Sequence, residues 1–289
     1  MQVHLIDGTY ELFRYHFAPN NRDPERGAVR GVLASMLDLL ERGATHVGIA
    51  TDHVIESFRN DLWPGYKSSA GIDPALLAQF TLLEEVLAAA GFTVWSMVEL
   101  EADDALAAAA AVAAADERVT QAVICTPDKD LAQCVVGDRV VQLDRRRGEL
   151  RDERGVHERF GVAPASIPDY LALVGDSADG FPGIDGWGAK SSSAVLARYG
   201  RLEDIPPAAG QWDVTVRAAA KLARTLQDNL PLALLFRRIA TLERDAPVDA
   251  TPEDLEWRGP DESFHAIAQE LAVPGLHRRA MALAEERAG

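Results

Sequence analysis

"HVGIATD", residues 46–52, is an apolar run of strand length that ends on a carboxylate, and its reading decides the fold. Working outward, "VHLID" (3–7), "FTVWS" (92–96), "AVICTPD" (122–128) and "RVVQLD" (139–144) are strand candidates as well. Amphipathic stretches at 28–41, 74–90 and 103–115 alternate with them, the last so rich in alanine that helix is its natural state. This alternation predicts an α/β fold with a central, mostly parallel sheet. From about residue 153 the pattern changes to short helical runs joined by Gly/Pro turns: "RGVHERFGV", "PDYLALVGD" and "AKSSSAVLARYG". A longer helix is expected over 214–229, stopped by Pro231. The expected division is therefore 1–152 and 153–289.

A chain of 289 residues is long enough for one large domain and a smaller one. Cys125 and Cys134 are the only cysteines, and they read as two reduced packing thiols rather than a disulfide. The first residues reach an aspartate too soon for a signal peptide, and no apolar run is long enough to span a bilayer. The expectation is a cytoplasmic monomer with no membrane partner. A net charge of −16 argues against a nucleic-acid ligand. If nine of the carboxylates hold metal ions, about −7 remains, and local basic patches can still bind phosphate.

Asp7, Asp52 and Asp128 each end a strand candidate. In a parallel sheet such ends share one edge, outside which ligands bind, so these acids are expected to converge. "EADDA" (101–105) opens a helix, with Glu101 and Asp104 on one face; Asp103 lies about 200° round from Glu101 on an ideal helix. "DKD" adds Asp130 to Asp128, and Asp176 and Asp179 lie three apart. One aspartate after a strand is commonly a helix cap or turn residue, but caps alone do not explain so many. Ionised carboxylates side by side repel one another, and compensation requires cations. Ligation by oxygen alone, with no HExxH among the seven histidines, selects Mg²⁺ or Mn²⁺. The residues alone thus suggest metal-dependent phosphoester hydrolysis.

"GDSADGFPGIDGWGAK" (175–190) could be a phosphate cradle, a metal loop or a polar turn between helices. Its Gly183, Gly186, Gly188 and Lys190 match neither a dinucleotide fingerprint nor a P-loop, because Ala189 precedes Lys190 and a helical stretch precedes the glycines. A turn whose N–H groups lie at the start of the helix beginning near Lys190 is a ready anion site.

"LIDGTYELFR", "FRNDLWPGYK", "EADDALAAAA", "TPDKDLAQCV" and "DYLALVGDSADGFPGIDGWGAKSSSAVL" together resemble the 5′-3′ exonuclease and flap endonuclease family. The resemblance runs from Met1 to about Val248 and is closest to the N-terminal nuclease domain of bacterial DNA polymerase I and its stand-alone relatives. It implies a PIN-like (resolvase-like) nuclease domain followed by an all-α helix-three-turn-helix module with C-terminal helices. One implied metal group is Asp7, Asp52, Glu101, Asp103, Asp104 and Asp128; the other is Asp130, Asp176 and Asp179. Arg14 and Lys67 are implied catalytic phosphate contacts, while Arg59, Tyr66 and the glycine turn with Lys190 complete the implied DNA-binding set, Tyr66 by stacking on a base. The turn is implied to hold K⁺ against duplex phosphate, and cleavage to leave 5′-phosphate and 3′-hydroxyl. A separate polymerase and a ligase are the implied partners.

Four positions depart from the family pattern: Ala70 replaces an arginine, Thr51 an aromatic, Gly180 an asparagine and Pro127 a glycine. Ala70 removes one positive charge from the arch expected to receive the 5′ end. Two other classes remain open at this point, a catalytically weak DNA-structure binding protein and a PIN-type ribonuclease.

Overall fold

The computed structural model describes residues 1–288. The chain divides into two compact units: residues 1–55, 69–126 and 244–289 form the first, and residues 56–68 and 127–243 the second. These units differ from a single cut near 153, because 127–152 groups with the second unit and 244–289 with the first.

In the first unit, β1 (Gln2–Asp7), β2 (His46–Asp52), β3 (Thr93–Met97) and β4 (Gln121–Cys125) run parallel in the order β3-β2-β1-β4. Val3, Leu5, Ile6, Ile49 and Ile124 are fully buried, which explains why these strands read as apolar runs. The register pairs Asp7 with Ala50, so the two strand-end acids lie on neighbouring strands at one sheet edge. β4 stops at Cys125; Asp128 lies three residues beyond it, in a loop rather than at a strand end.

The helix Ala102–Ala115 lies against β1, β2 and β4, where small alanine side chains permit a close approach. Gly27–Glu41 was legible almost to the residue, whereas the expected 74–90 helix is two, Pro74–Leu77 and Gln79–Ala89. An additional helix, Gly8–His16, is capped by Asp7 through Tyr10 N–H to Oδ1 (2.8 Å). The C-terminal segment returns to this unit. Trp257 donates its backbone N–H to Thr45 O (2.9 Å) and its ring N–H to Ala90 O (2.8 Å), and Arg279 binds Asp38 and Glu41. Among the described residues, no helix is long and apolar enough to cross a membrane.

In the second unit, β5 (Val140–Asp144) and β6 (Glu149–Arg151) form an antiparallel hairpin. The helices Glu153–Phe160, Ile167–Val174, Ala189–Tyr199, Ala219–Asp228 and Leu230–Ala240 follow. Phe181, Trp187, Leu226 and Phe236 belong to their common core. The expected 214–229 helix begins only at Ala219, after Ala218 with φ +58°. Trp212, Val214 and Val216 alternate and pack on the core, a period of two that favours extended chain over helix. Pro231 does not stop a helix; it sits in the first turn of Leu230–Ala240, where its missing N–H costs nothing. Cys125 and Cys134 are both buried free thiols.

Candidate metal and nucleic-acid sites

The first unit holds Asp7, Asp52, Glu101, Asp103 and Asp104, and the second holds Asp128, Asp130, Asp176 and Asp179. Asp7, Asp52, Glu101 and Asp104 are buried. Asp7 Oδ2 accepts from Thr126 Oγ1 (2.9 Å), and Asp52 Oδ1 from Ala102 N–H (2.8 Å). Asp104 Oδ2 accepts from Glu101 N–H (3.0 Å) in a reciprocal helix cap. The side chains that cap helices here are thus among those expected to bind metal. Asp103 is half-buried in the first turn of the same helix.

In the second unit Asp130, Asp176 and Asp179 bring one carboxylate oxygen each to within 4.8 Å of one another. Asp130 comes from a tight 3₁₀ turn, Asp130–Cys134, and the other two from the turn after Ile167–Val174. That turn is closed by paired backbone: Asp176 N–H to Phe181 O (2.8 Å) and Ile184 N–H to Leu173 O (2.9 Å). Gly175 (φ +80°) and Gly183 (φ +73°) approach so closely there that a Cβ on either would meet the other's backbone. Only glycine fits at both.

Burial is the largest influence on Asp130 and, with the charges of Asp128, Asp179 and Asp176, pushes its pKa well above the usual carboxylate range; Lys129 opposes this only in part. Asp130 Oδ1 is buried and has no hydrogen-bond partner. An orphaned carboxyl oxygen among three further carboxylates is a position that a hard divalent cation fits, and the donor set in both units is oxygen alone. Two lysines neutralise part of this charge. Lys129 Nζ lies 2.6 Å from Asp176 Oδ2, and Lys67 Nζ lies 3.5 Å from Asp179 Oδ1. For Lys129, burial lowers the pKa, but Asp176, Asp130 and Asp128 outweigh it and raise the value.

Asp128 is exposed; its Oδ1 accepts from Asp130 N–H (3.1 Å), and its carbonyl accepts from Gln142 Nε2. Gln133 secures the other side, donating to Asp130 O (2.9 Å) and Ala240 O (2.8 Å) and accepting from Leu242 N–H (3.1 Å). Lys129, Gln133 and Gln142 escaped sequence reasoning. Lys129 sits inside the "DKD" already singled out, and that adjacency was the available signal.

Two expected DNA contacts are buried. Arg59 is 1% exposed, donates Nε–H to Ile239 O (2.8 Å) and Nη2–H to Thr241 O (3.3 Å), and ties its helix to the end of Leu230–Ala240. It is a structural residue, because a buried guanidinium committed to carbonyls has no face for phosphate. Tyr66 is 5% exposed within the apolar core, so its ring offers no platform on which a base could stack. Lys67 keeps a partly exposed ammonium 5.6 Å from that ring centroid. Arg14 is partly exposed and paired with Glu11; burial lowers its pKa, but Glu11 outweighs this and raises it.

The 183–188 turn is anchored by Ile184 and by Trp187, whose ring N–H binds Leu222 O (3.2 Å). Gly186 and Gly188 are left on the surface, and Gly188 caps Ala189–Tyr199. A cavity of 680 Å³ opens there, lined by Gly186, Gly188, Lys190, Ser191, Thr215 and Arg217 among others. Backbone donors and unburied cations on one concave surface suit a phosphate chain.

The family described as 5′-3′ exonuclease, N-terminal resolvase-like domain, matches residues 2–161, and that described as 5′-3′ exonuclease, C-terminal SAM fold, matches residues 162–263. The chain is 32% identical to DNA polymerase I of Mycobacterium leprae, over 98% of this chain and 32% of that protein. It is 29% identical to a 5′-3′ exonuclease of Aquifex aeolicus, over 95% of this chain and 93% of that one. It thus spans about a third of the length of the DNA polymerase I relatives it matches. In fold it is similar to T5 5′-exonuclease with divalent metal ions (zinc) bound, with TM-score 0.68 at 17% identity, over 98% of this chain and 100% of that one. The catalytic core of Rad2 in complex with DNA substrate gives TM-score 0.63 at 14% identity, over 98% and 92%. With both halves matched in order, a parallel sheet edged by acids and a helical unit carrying the glycine turn, the chain belongs to the 5′-3′ exonuclease family.

Proposed function

We propose that the protein is a structure-specific nuclease that hydrolyses DNA phosphodiesters near a 5′ end or flap, using Mg²⁺ or Mn²⁺. The observation that carries this reading is the acid trio with the orphaned Asp130 oxygen, in a chain whose two halves match the two parts of one nuclease family. Asp130, Asp176 and Asp179 would hold metal in one unit, and Asp7, Asp52, Glu101, Asp103 and Asp104 would do so in the other, with Asp128 as a further ligand. When bound, the ions supply Lewis-acid stabilisation of phosphoryl charge and lower the pKa of water. The chain's own groups do the rest. Lys67 and Arg14 bind phosphate oxygens, their carboxylate partners holding them in place until substrate competes. The 183–188 turn, which would hold K⁺, and Lys190 grip duplex phosphate. No side-chain nucleophile is required. Residues 1–152 serve as the nuclease part and 153–289 as the duplex-binding part, and a separate DNA polymerase and a ligase act on the ends that cleavage leaves.

The test is incubation with 5′-labelled flap, nicked and single-stranded DNA and RNA in Mg²⁺, Mn²⁺ or EDTA. Short 5′ products from flapped and nicked DNA, absent in EDTA, are expected. Cleavage confined to single-stranded RNA would instead make it a ribonuclease, and binding without cleavage a DNA-structure binder. Replacing Lys190 by alanine is expected to weaken duplex binding across sequences and to reduce the slope of log affinity against log salt by about 1. An unchanged slope returns Lys190 to the solvated surface.

A further inference from the structure

Glu84 carries a carboxylate that is 8% exposed, on the helix Gln79–Ala89 of the first unit. Burying an ionised group costs several kcal/mol, and an apolar residue there would avoid that cost. Its partners are specific. Oε1 accepts from Thr51 Oγ1 at 2.7 Å, and His53 Nδ1 lies 2.7 Å from Oε2. An ionised carboxylate only accepts, so the Nδ1–H of His53 is the donor. Thr51 and His53 are the two residues that flank Asp52; alternation along the strand turns Thr51 away from the face to which Asp52 points, and His53 follows directly after the strand's last residue.

Three further contacts meet at the same place. Asp52 N–H donates to Thr9 Oγ1 (2.8 Å), and Asp52 Oδ1 accepts from Ala102 N–H (2.8 Å). The Thr51 methyl fits against Gly8, where an added Cβ would come within 2.8 Å of Thr51 Cγ2. Thr51 thus touches the residue after Asp7 while its hydroxyl is held by Glu84.

We propose that Glu84 is a positioning residue: bridging Thr51 and His53 from behind the sheet edge, it fixes the backbone on both sides of Asp52 and so sets where the Asp52 carboxylate meets a divalent cation. The inference rests on the reading of Asp52 as a metal ligand. Groups that orient ligands in this way typically change metal affinity or activity by about 10–100-fold when removed.

The test is Mn²⁺ binding to the DNA-free protein, followed by electron paramagnetic resonance of free Mn²⁺, with single-turnover cleavage of flap DNA alongside. Asp52→Asn defines which ions depend on Asp52. Glu84→Ala is expected to weaken that same class of ions about tenfold. It should raise the Mn²⁺ concentration for half-maximal cleavage similarly and leave KM for DNA unchanged, a split that a loss of folding stability alone would not produce. Glu84→Gln retains an acceptor for Thr51 and should recover most of the affinity, while Thr51→Val should lose part of it without disturbing the helix. Wild-type Mn²⁺ affinity in Glu84→Ala, with weakened binding in Asp52→Asn, overturns the brace and leaves the metal reading standing. Unchanged binding in Asp52→Asn overturns the ligand assignment and the brace together. If Glu84→Ala does not fold, Thr51→Val decides, and unchanged binding in that variant overturns the proposal.

Discussion

Replacing Asp128 by asparagine is expected to lower flap cleavage roughly 10³-fold, the scale of removing several kcal/mol of transition-state stabilisation from a metal site. Duplex affinity measured in EDTA should stay near the wild-type value. The separation follows from how the loop is held. Gln142 bonds to the Asp128 carbonyl rather than to its side chain, and Pro127 restricts the backbone just before it. Asparagine keeps an acceptor for the Asp130 N–H, so the change removes charge and leaves shape. Asp128 is exposed, and surface substitutions usually cost little stability. Single-turnover cleavage and fluorescence anisotropy read the two halves of the result. A variant that cleaves at close to the wild-type rate removes Asp128 from the mechanism.

Asp130→Asn should change two things in opposite directions. Without metal, the buried Asp130 is crowded by Asp128, Asp176 and Asp179, so removing its charge relieves repulsion and should raise the melting temperature in EDTA, on the order of 5 °C. With metal, the wild type gains stability by linkage, about 2.7 kcal/mol at a hundredfold excess over Kd, and the variant should lose most of that gain. The pH dependence has a definite sign. Because the folded pKa of Asp130 is raised, the native state takes up a proton that the unfolded chain releases near pH 3.9. Metal-free stability from this group is therefore greatest at low pH and falls as pH rises from about 4 through the folded pKa; saturating Mg²⁺ should flatten that fall. Calorimetry across pH in EDTA and in Mg²⁺ checks both points. A lower melting temperature for the variant in EDTA would show that Asp130 is stabilising as a carboxylate.

Asp7 and Asp52 were legible because a strand buried on both faces leaves an unbroken apolar run, and the first acid after it marks the sheet edge. The pairing of Asp176 with Asp179 was legible from spacing, and their meeting with Asp130 from family resemblance. Burial was not. Arg59 and Tyr66 sit in a motif that names residue types without saying which way they point, and the chain turns both inward. The 214–218 segment misled because Val214 and Val216 suit either period until a core is present on one side. Lys129 to Asp176 and Glu84 to Thr51 join segments 47 and 33 residues apart, separations that leave no periodic trace in the sequence.

The return of residues 244–288 to the first unit bears on how the protein is made. A ribosome delivers β1 to β4 early, then the whole of residues 127–243, and only afterwards the stretch whose Trp257 bonds to the carbonyls of Thr45 and Ala90. The unit that carries the sheet is therefore begun first and completed last, while the later-born helical unit has all its residues before its predecessor does. Translation halted near residue 243 would release a chain with one unit complete in sequence and the other still open along its outer helices.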